Sequence, residues 1–153
     1  FFKGRYLFSS AAVSNQNGFK IFHETNIPGT GSLLQIGSLS KKSYNMKHAN
    51  SQQCETIRFD DFCKTNDFHA NILWIDVQGA EMMVLEGAHK SLDSIHHIFI
   101  EISIWEPTYI EGCTMTEITE KLLKYGFKCI QLGTDLNNGT DNALFSRYGQ
   151  TSQ

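Results

Sequence analysis

The part of the chain that most restricts its fold runs from residue 71 onward, through "NILWIDV", "AEMMVLEGAHKSLDS", "IHHIFIEIS", "TMTEITEKLLKYG", "FKCIQLG" and "NALFSR". The first is a short, almost wholly apolar run, the signature of a strand covered on both faces. The second places Met82, Val84 or Leu85, Ala88 and Leu92 at helical spacing. The third is strand-like again. The fourth is the clearest helix, with Thr114 or Thr116 as its cap, Ile118, Leu122 and Leu123 as its apolar stripe, and Gly126 at its stop. The last two are strands joined by the turn-rich "TDLNNGTD", a connection short enough to make them antiparallel to one another. Strand, helix, strand, helix, strand, strand predicts an α/β layer: a mostly parallel sheet with an antiparallel terminal strand.

Upstream, "RYLFSSAAVS" reads as a buried strand over 6–13, and "NQNG" is a turn leading into a second extended run over 19–23. Residues 26–53 turn polar and are punctuated by "PGTGS" and "SLSKKS", which predicts a long loop of the kind that binds ligands, forms an ordered insertion or is a mobile segment. "ETIRFDDFCKTND" fits a short strand and one or two helical turns, with Ile57, Phe59 and Phe62 inward. At 153 residues the chain reads as a single domain over 1–153, long enough to bury a core. It opens on "FFKGRYLF" rather than on methionine, so the expectation is a fragment or a processed chain.

In α/β sheets ligands bind beyond the carboxyl ends of the strands. That puts Asp76, at the end of "ILWID", and Glu101, at the end of "IFIE", on the edge where chemistry occurs. Two carboxylates there can hold a cation, accept hydrogen bonds from a hydroxylated ligand or act as a general base. Asp76 has an equally good structural role as cap of the following helix. Glu101 is harder to explain by packing, because a carboxylate among isoleucines is costly if buried unpaired. Glu81 lies in the first helical turn, where its charge meets the positive helix end. Gly79 permits a tight strand-to-helix turn or close approach of a ligand to the backbone. Trp105 and Tyr109, in the loop after "IFIEIS", suit either stacking on a ring or sugar or a hydrophobic cover over the core.

Composition removes other classes. A net charge of −3, with Lys41 and Lys42 as the only adjacent basic pair, gives no footprint for nucleic acid. Cys54, Cys63, Cys113 and Cys129 lack metal-binding spacing and are too sparse for a disulfide scaffold. The six histidines are scattered, and His96 and His97 point to opposite faces of one strand, so no metal site is expected. No signal peptide or run of roughly 20 apolar residues is present, so a soluble chain without a membrane segment is the expectation; the compartment stays open, with a cytoplasmic one favoured. "NGT" at Asn138 matches a glycosylation acceptor, which has meaning only in a secreted protein. "PGTGS" lacks the strand-to-helix context of a phosphate loop.

Taken in order, "LWIDVQGAEMMVLEGAHKSL", "IHHIFIEIS" and "YGFKCIQLG" resemble the carboxyl-terminal half of the FkbM-type methyltransferases. Asp76, Gly79, Glu81, Val84, Leu85, Gly87, Ala88 and Glu101 match the family pattern, and Gln78 stands where Glu is common. "LFSSAAVSNQNGFKIFHE" and "GSLL" resemble the family's third strand, its hairpin-like extension and a following loop. The resemblance implies a partial Rossmann-like class I methyltransferase sheet, with the family order 3-2-1-4-5-7-6 lacking its first two strands and the glycine-rich turn between them. It implies S-adenosylmethionine beside Asp76 and Gly79, with Ala12 and Val13 near the adenine. It also implies Asp76 or Glu101 as the acid that takes or orients the proton of a hydroxyl, and a small-molecule or glycan acceptor near Glu81, Trp105 and Tyr109. An ordinary carboxylate is a weak base for an alcohol, so burial or a metal ion must help. The competing reading is a non-catalytic remnant that keeps the half-sheet as an interaction or packing module; a hydrolase stands further off, since no nucleophile with a paired histidine is visible. Oligomeric state stays open.

Overall fold

The computed structural model describes residues 7–133 and 139–148. Tyr6, where the first strand was expected to start, and the acceptor motif at Asn138 lie outside those residues. Of that expected strand only Ala12–Val13 (β1) pairs; residues 7–11 form no strand, and Leu7 and Phe8 are exposed. The second run extends to Gly18–Thr25 (β2).

The polar stretch over 26–53 is not one long loop. It contains a short helix, Ser38–Ser43 (α1), and the start of a ten-residue strand, His48–Ile57 (β3). This strand pairs antiparallel with β2 from Gly18↔Thr56 to Thr25↔His48, and parallel with β1. Its sequence, "HANSQQCETI", is exposed over most of its length, so no apolar alternation marks it. Backbone hydrogen bonds to β2 hold it, and these are indifferent to side chain.

A second sheet carries the core. It consists of Ile72–Ile75 (β4), His97–Ser103 (β5), Phe127–Leu132 (β6) and Thr140–Arg147 (β7), in the order β4-β5-β7-β6. β4 and β5 are parallel; β7 is antiparallel to both β5 and β6. Pairing among the described strands is therefore mixed, with β1–β3 and β4–β5 as the parallel pairs, rather than mostly parallel. The expected antiparallel relation of the last two strands is present.

Alternation decides which side chains enter the core. Leu73 and Ile75 of β4, Ile98, Ile100 and Ile102 of β5, and Ala143 and Phe145 of β7 are buried together with Phe127. Leu85 from Glu81–Gly87 (α3) and Ile118 and Leu122 from Met115–Leu123 (α4) close over them. The other face of β4 is open: Ile72 and Trp74 are 65% and 76% exposed, so the expectation of cover on both faces does not hold among the described residues. Trp74 packs edge-on against Phe99 of β5, ring centroids 5.0 Å apart.

The helical run after Asp76 is also divided. α3 stops at Gly87, and a 3-10 turn, Ser91–Ser94, follows. Gly87 faces the end of β1 so closely that a Cβ there would lie 2.1 Å from the Ser14 carbonyl oxygen. The 3-10 turn is held by Asp60, from the helix Phe59–Asn66 (α2), which accepts from the Lys90 and Ser91 amides and the Ser91 hydroxyl. Burial alone would raise the Asp60 pKa; these donors outweigh it and hold the carboxyl below its ordinary value. α4 begins as expected, with a reciprocal capping box between Thr114 and Glu117. Its stripe is narrower than expected, since Leu123 is 59% exposed.

Candidate active site

β4 and β5 run in parallel register, Ile75 opposite Ile100, so the next residue on each is an acid: Asp76 and Glu101 stand side by side. Glu101 is not at the end of its strand, because β5 continues to Ser103. Period-two alternation sets Glu101 on the face of Phe99, away from Ile100 and Ile102. That answers the packing objection: the carboxyl is half-buried, outside the aliphatic core.

The turn after β4 makes the connection between the two acids. Gln78 and Gly79 both take positive φ, 53° and 93°. Gln78 thereby sends its amide between the acids, donating from Nε2 to Asp76 Oδ1 at 2.6 Å and to Glu101 Oε2 at 3.1 Å. The Tyr109 hydroxyl donates to the Thr30 carbonyl at 2.8 Å and lies 3.3 Å from Gln78 Oε1. A Cβ on Gly79 would come within 2.6 Å of the Tyr109 ring, so this glycine serves both the turn and the approach of Tyr109 to the backbone.

Asp76 does not cap α3. The cap position is Ala80, without a side-chain bond, while Glu81 Oε1 accepts from the Gly79 amide at 2.9 Å. Glu81 is almost fully buried, and burial, with Asp76 adding repulsion, raises its pKa. Its role thus goes beyond charge at a solvated helix end.

Gln78, Gly79, Glu81, Glu101, Tyr109 and Met46 are among the residues lining a cavity of about 190 Å³ with no lysine, arginine or histidine in its wall. Burial, then the nearby charges of Asp76 and Glu81, push the Glu101 pKa up from 4.5 to about 7. Burial, then the charges of Glu101 and Glu81, push Tyr109 to about 12. Cys113 is also pushed to about 12, first by burial and then by Glu81, so its thiol stays protonated and is no nucleophile at neutral pH. Among the described residues no group of three or more His, Cys, Asp or Glu stands where it could hold a metal ion.

The structure thus joins Asp76, Gly79, Glu81, Glu101 and Tyr109 in one place. It keeps Trp105 apart, 75% exposed and outside the cavity wall. Ala12 and Val13 lie on the three-stranded sheet, with Val13 against the main core, and neither lines the cavity. Gln78 is the residue whose part the sequence does not reveal: it stands where the family pattern commonly has Glu, and its left-handed backbone carries no mark in the sequence.

Because Gln78 supplies the donor between two acids, its replacement has a readable effect. Gln78→Glu puts a third carboxyl in contact with Asp76 and Glu101 and removes that donor. The acidity of Glu101 is expected to fall by about tenfold or more. Carbon-detected NMR titration of the carboxyl groups measures this; an unchanged Glu101 would show that the amide does not couple the pair.

Fold and site together define an α/β protein with a carboxylate cluster across two adjacent parallel strands, Asp76 just past the end of β4 and Glu101 within β5. Residues 3–129 match the methyltransferase FkbM domain, and the chain belongs to that family. Over 100 residues it is 30% identical to the 2-O-methyltransferase NoeI of Sinorhizobium fredii (strain NBRC 101917 / NGR234), an alignment that covers 60% of this chain and 41% of that protein. The chain therefore spans about two fifths of the length of this curated relative. No helix among the described residues is long and apolar enough to cross a membrane.

Proposed function

We propose that this chain carries the proton-accepting side of an S-adenosylmethionine-dependent O-methyltransferase site, whose acceptor is a hydroxyl on a sugar or other small molecule. The carrying observation is Glu101: a half-buried carboxyl with a pKa of about 7, tied through Gln78 to Asp76 in a wall that holds no cationic side chain. A general base works best when its pKa lies near the working pH. The strand order β4-β5-β7-β6 supports the reading, since it coincides with the 4-5-7-6 half of the family sheet. The 2-O-methyltransferase named above supports hydroxyl oxygen as the nucleophile.

The donor set fits the methyl donor in charge. Glu81 and Glu101 in the wall, with the exposed Asp76 beside them through Gln78, have no ion pair among the described residues, and such a setting favours a positive sulfonium. Asp76 and Gly79 would hold it. When bound, S-adenosylmethionine supplies an electrophilic methyl group. Glu101 would take the acceptor's proton as the oxygen–methyl bond forms and the sulfur–methyl bond breaks, with S-adenosylhomocysteine as the leaving group, and Gln78 links the two carboxyls. Tyr109, buried against Gly79, forms one side of the cavity wall. Alignment of this kind supplies several kcal/mol, up to roughly 7–11 in well-oriented systems.

The second reading, a non-catalytic module, is favoured by the exposed outer face of β4, Ile72 and Trp74. Titration calorimetry with S-adenosylhomocysteine separates the two. Saturable binding by the chain, or by a longer polypeptide containing it, is expected, and Asp76→Ala should weaken it about tenfold. Absence of binding in both folded forms would leave the non-catalytic reading.

A further inference from the structure

A larger cavity, about 610 Å³, opens between the β2–β3 hairpin and α1, and its wall has the opposite character. Lys41, Lys47, His23 and His48 line it, with Glu24 as its acid, and the Glu24 carboxyl accepts from the Gln52 amide at 3.0 Å. Neither lysine has an ion-pair partner among the described residues.

The two imidazoles converge by construction. His23 stands opposite Ser51 in the hairpin register, and a β-bulge at Glu24/Thr25 pairs Thr25 with His48, skipping Ala49. Bulges re-aim side chains in this way. Both rings reach the same hydroxyl: His23 Nδ1 lies 3.0 Å and His48 Nε2 2.7 Å from Ser51 Oγ, with ring centroids 6.0 Å apart. Two ammonium groups, two imidazoles and a hydroxyl around one hollow form a donor set for an oxyanion.

Met46 lines both this cavity and the acidic one, and Ile36, also in the wall, bridges to Tyr109. The two hollows are neighbours of opposite charge. We propose that the basic cavity binds a phosphate or sulfate group borne by the hydroxylated acceptor, which directs a hydroxyl past Met46 toward Glu101. The acceptor role rests on the methyl-transfer reading; the oxyanion site does not.

The test is an NMR titration of the His23 and His48 imidazole signals at low salt with inorganic phosphate, inorganic sulfate, glucose 6-phosphate and uncharged glucose. Saturable shifts with the three anions and none with glucose are expected. Lys41→Gln and Lys47→Gln should each weaken binding about tenfold, and added sodium chloride should compete. Both lysines are exposed, so their replacement leaves the fold intact, which amide spectra check. Tighter binding of glucose 6-phosphate than of inorganic phosphate supports an acceptor-borne anion, whereas equal affinities overturn that part. No saturable shift, or shifts indifferent to both lysine replacements, overturns the site itself. Loss of S-adenosylhomocysteine binding alongside retained phosphate binding would overturn methyl transfer and leave the oxyanion site standing.

Discussion

Glu101→Gln is expected to flatten the dependence of stability on pH and, under the proposed function, to slow methyl transfer by the intact enzyme about 10²–10⁴-fold. The glutamate pKa is raised from 4.5 to about 7 in the folded chain, first by burial and then by Asp76 and Glu81. Between those values the folded chain binds more protons than the unfolded chain, so stability falls as pH rises through that window. With Gln in place the group no longer titrates and the decline becomes shallower. A residual slope of the same sign remains from Glu81, whose pKa is also raised. At pH 8 the variant should be more stable than the parent by about 1–2 kcal/mol once partial exposure of the carboxyl is allowed for. Urea unfolding at pH 4, 6 and 8 measures this. A parallel slope in parent and variant would mean that Glu101 does not titrate near neutrality. A flattened slope with an unchanged transfer rate would move the base to Asp76.

The second large effect concerns packing. Gly87→Ala is expected to destabilise the chain by about 3 kcal/mol or more, because the added Cβ would sit 2.1 Å from the Ser14 carbonyl oxygen and 3.5 Å from the Arg58 Cα. Both neighbours are backbone and neither can rotate away. Helix propensity alone predicts the opposite sign, since Ala is favoured over Gly by about 1 kcal/mol within a helix. Thermal and urea unfolding therefore discriminate sharply. A neutral or stabilising result would mean that α3 does not press against the end of β1. A loss of this size matters in a domain whose total stability is on the order of 5–15 kcal/mol.

The same glycine shows what could be read from the residues and what could not. "VLEGA" was legible as part of a helix from its apolar spacing, and Val84, Leu85, Ala88 and Leu92 are indeed buried. That position 87 has no room for a side chain depends on Ser14 at the end of β1, brought there from more than seventy residues upstream. The α/β succession from residue 72, the Thr114 cap and the antiparallel last pair were visible because period, capping chemistry and turn residues are local properties. β3 was hidden because an exposed hairpin strand is held by backbone bonds and needs no apolar face. The open face of β4 was hidden because "ILWI" reads the same whether one face is covered or two.

For the site, the sequence by itself determined the acids and their place after two apolar runs, and with the family pattern it selected Asp76, Gly79, Glu81 and Glu101. Only the tertiary structure decided their chemistry. Parallel register set Asp76 beside Glu101, two left-handed residues turned Gln78 between them, and Tyr109 came in from a distant loop to bury the group. A carboxyl's identity is written in one residue. Its pKa is a property of the solvent and charges around it, and those are assembled from segments far apart in the chain.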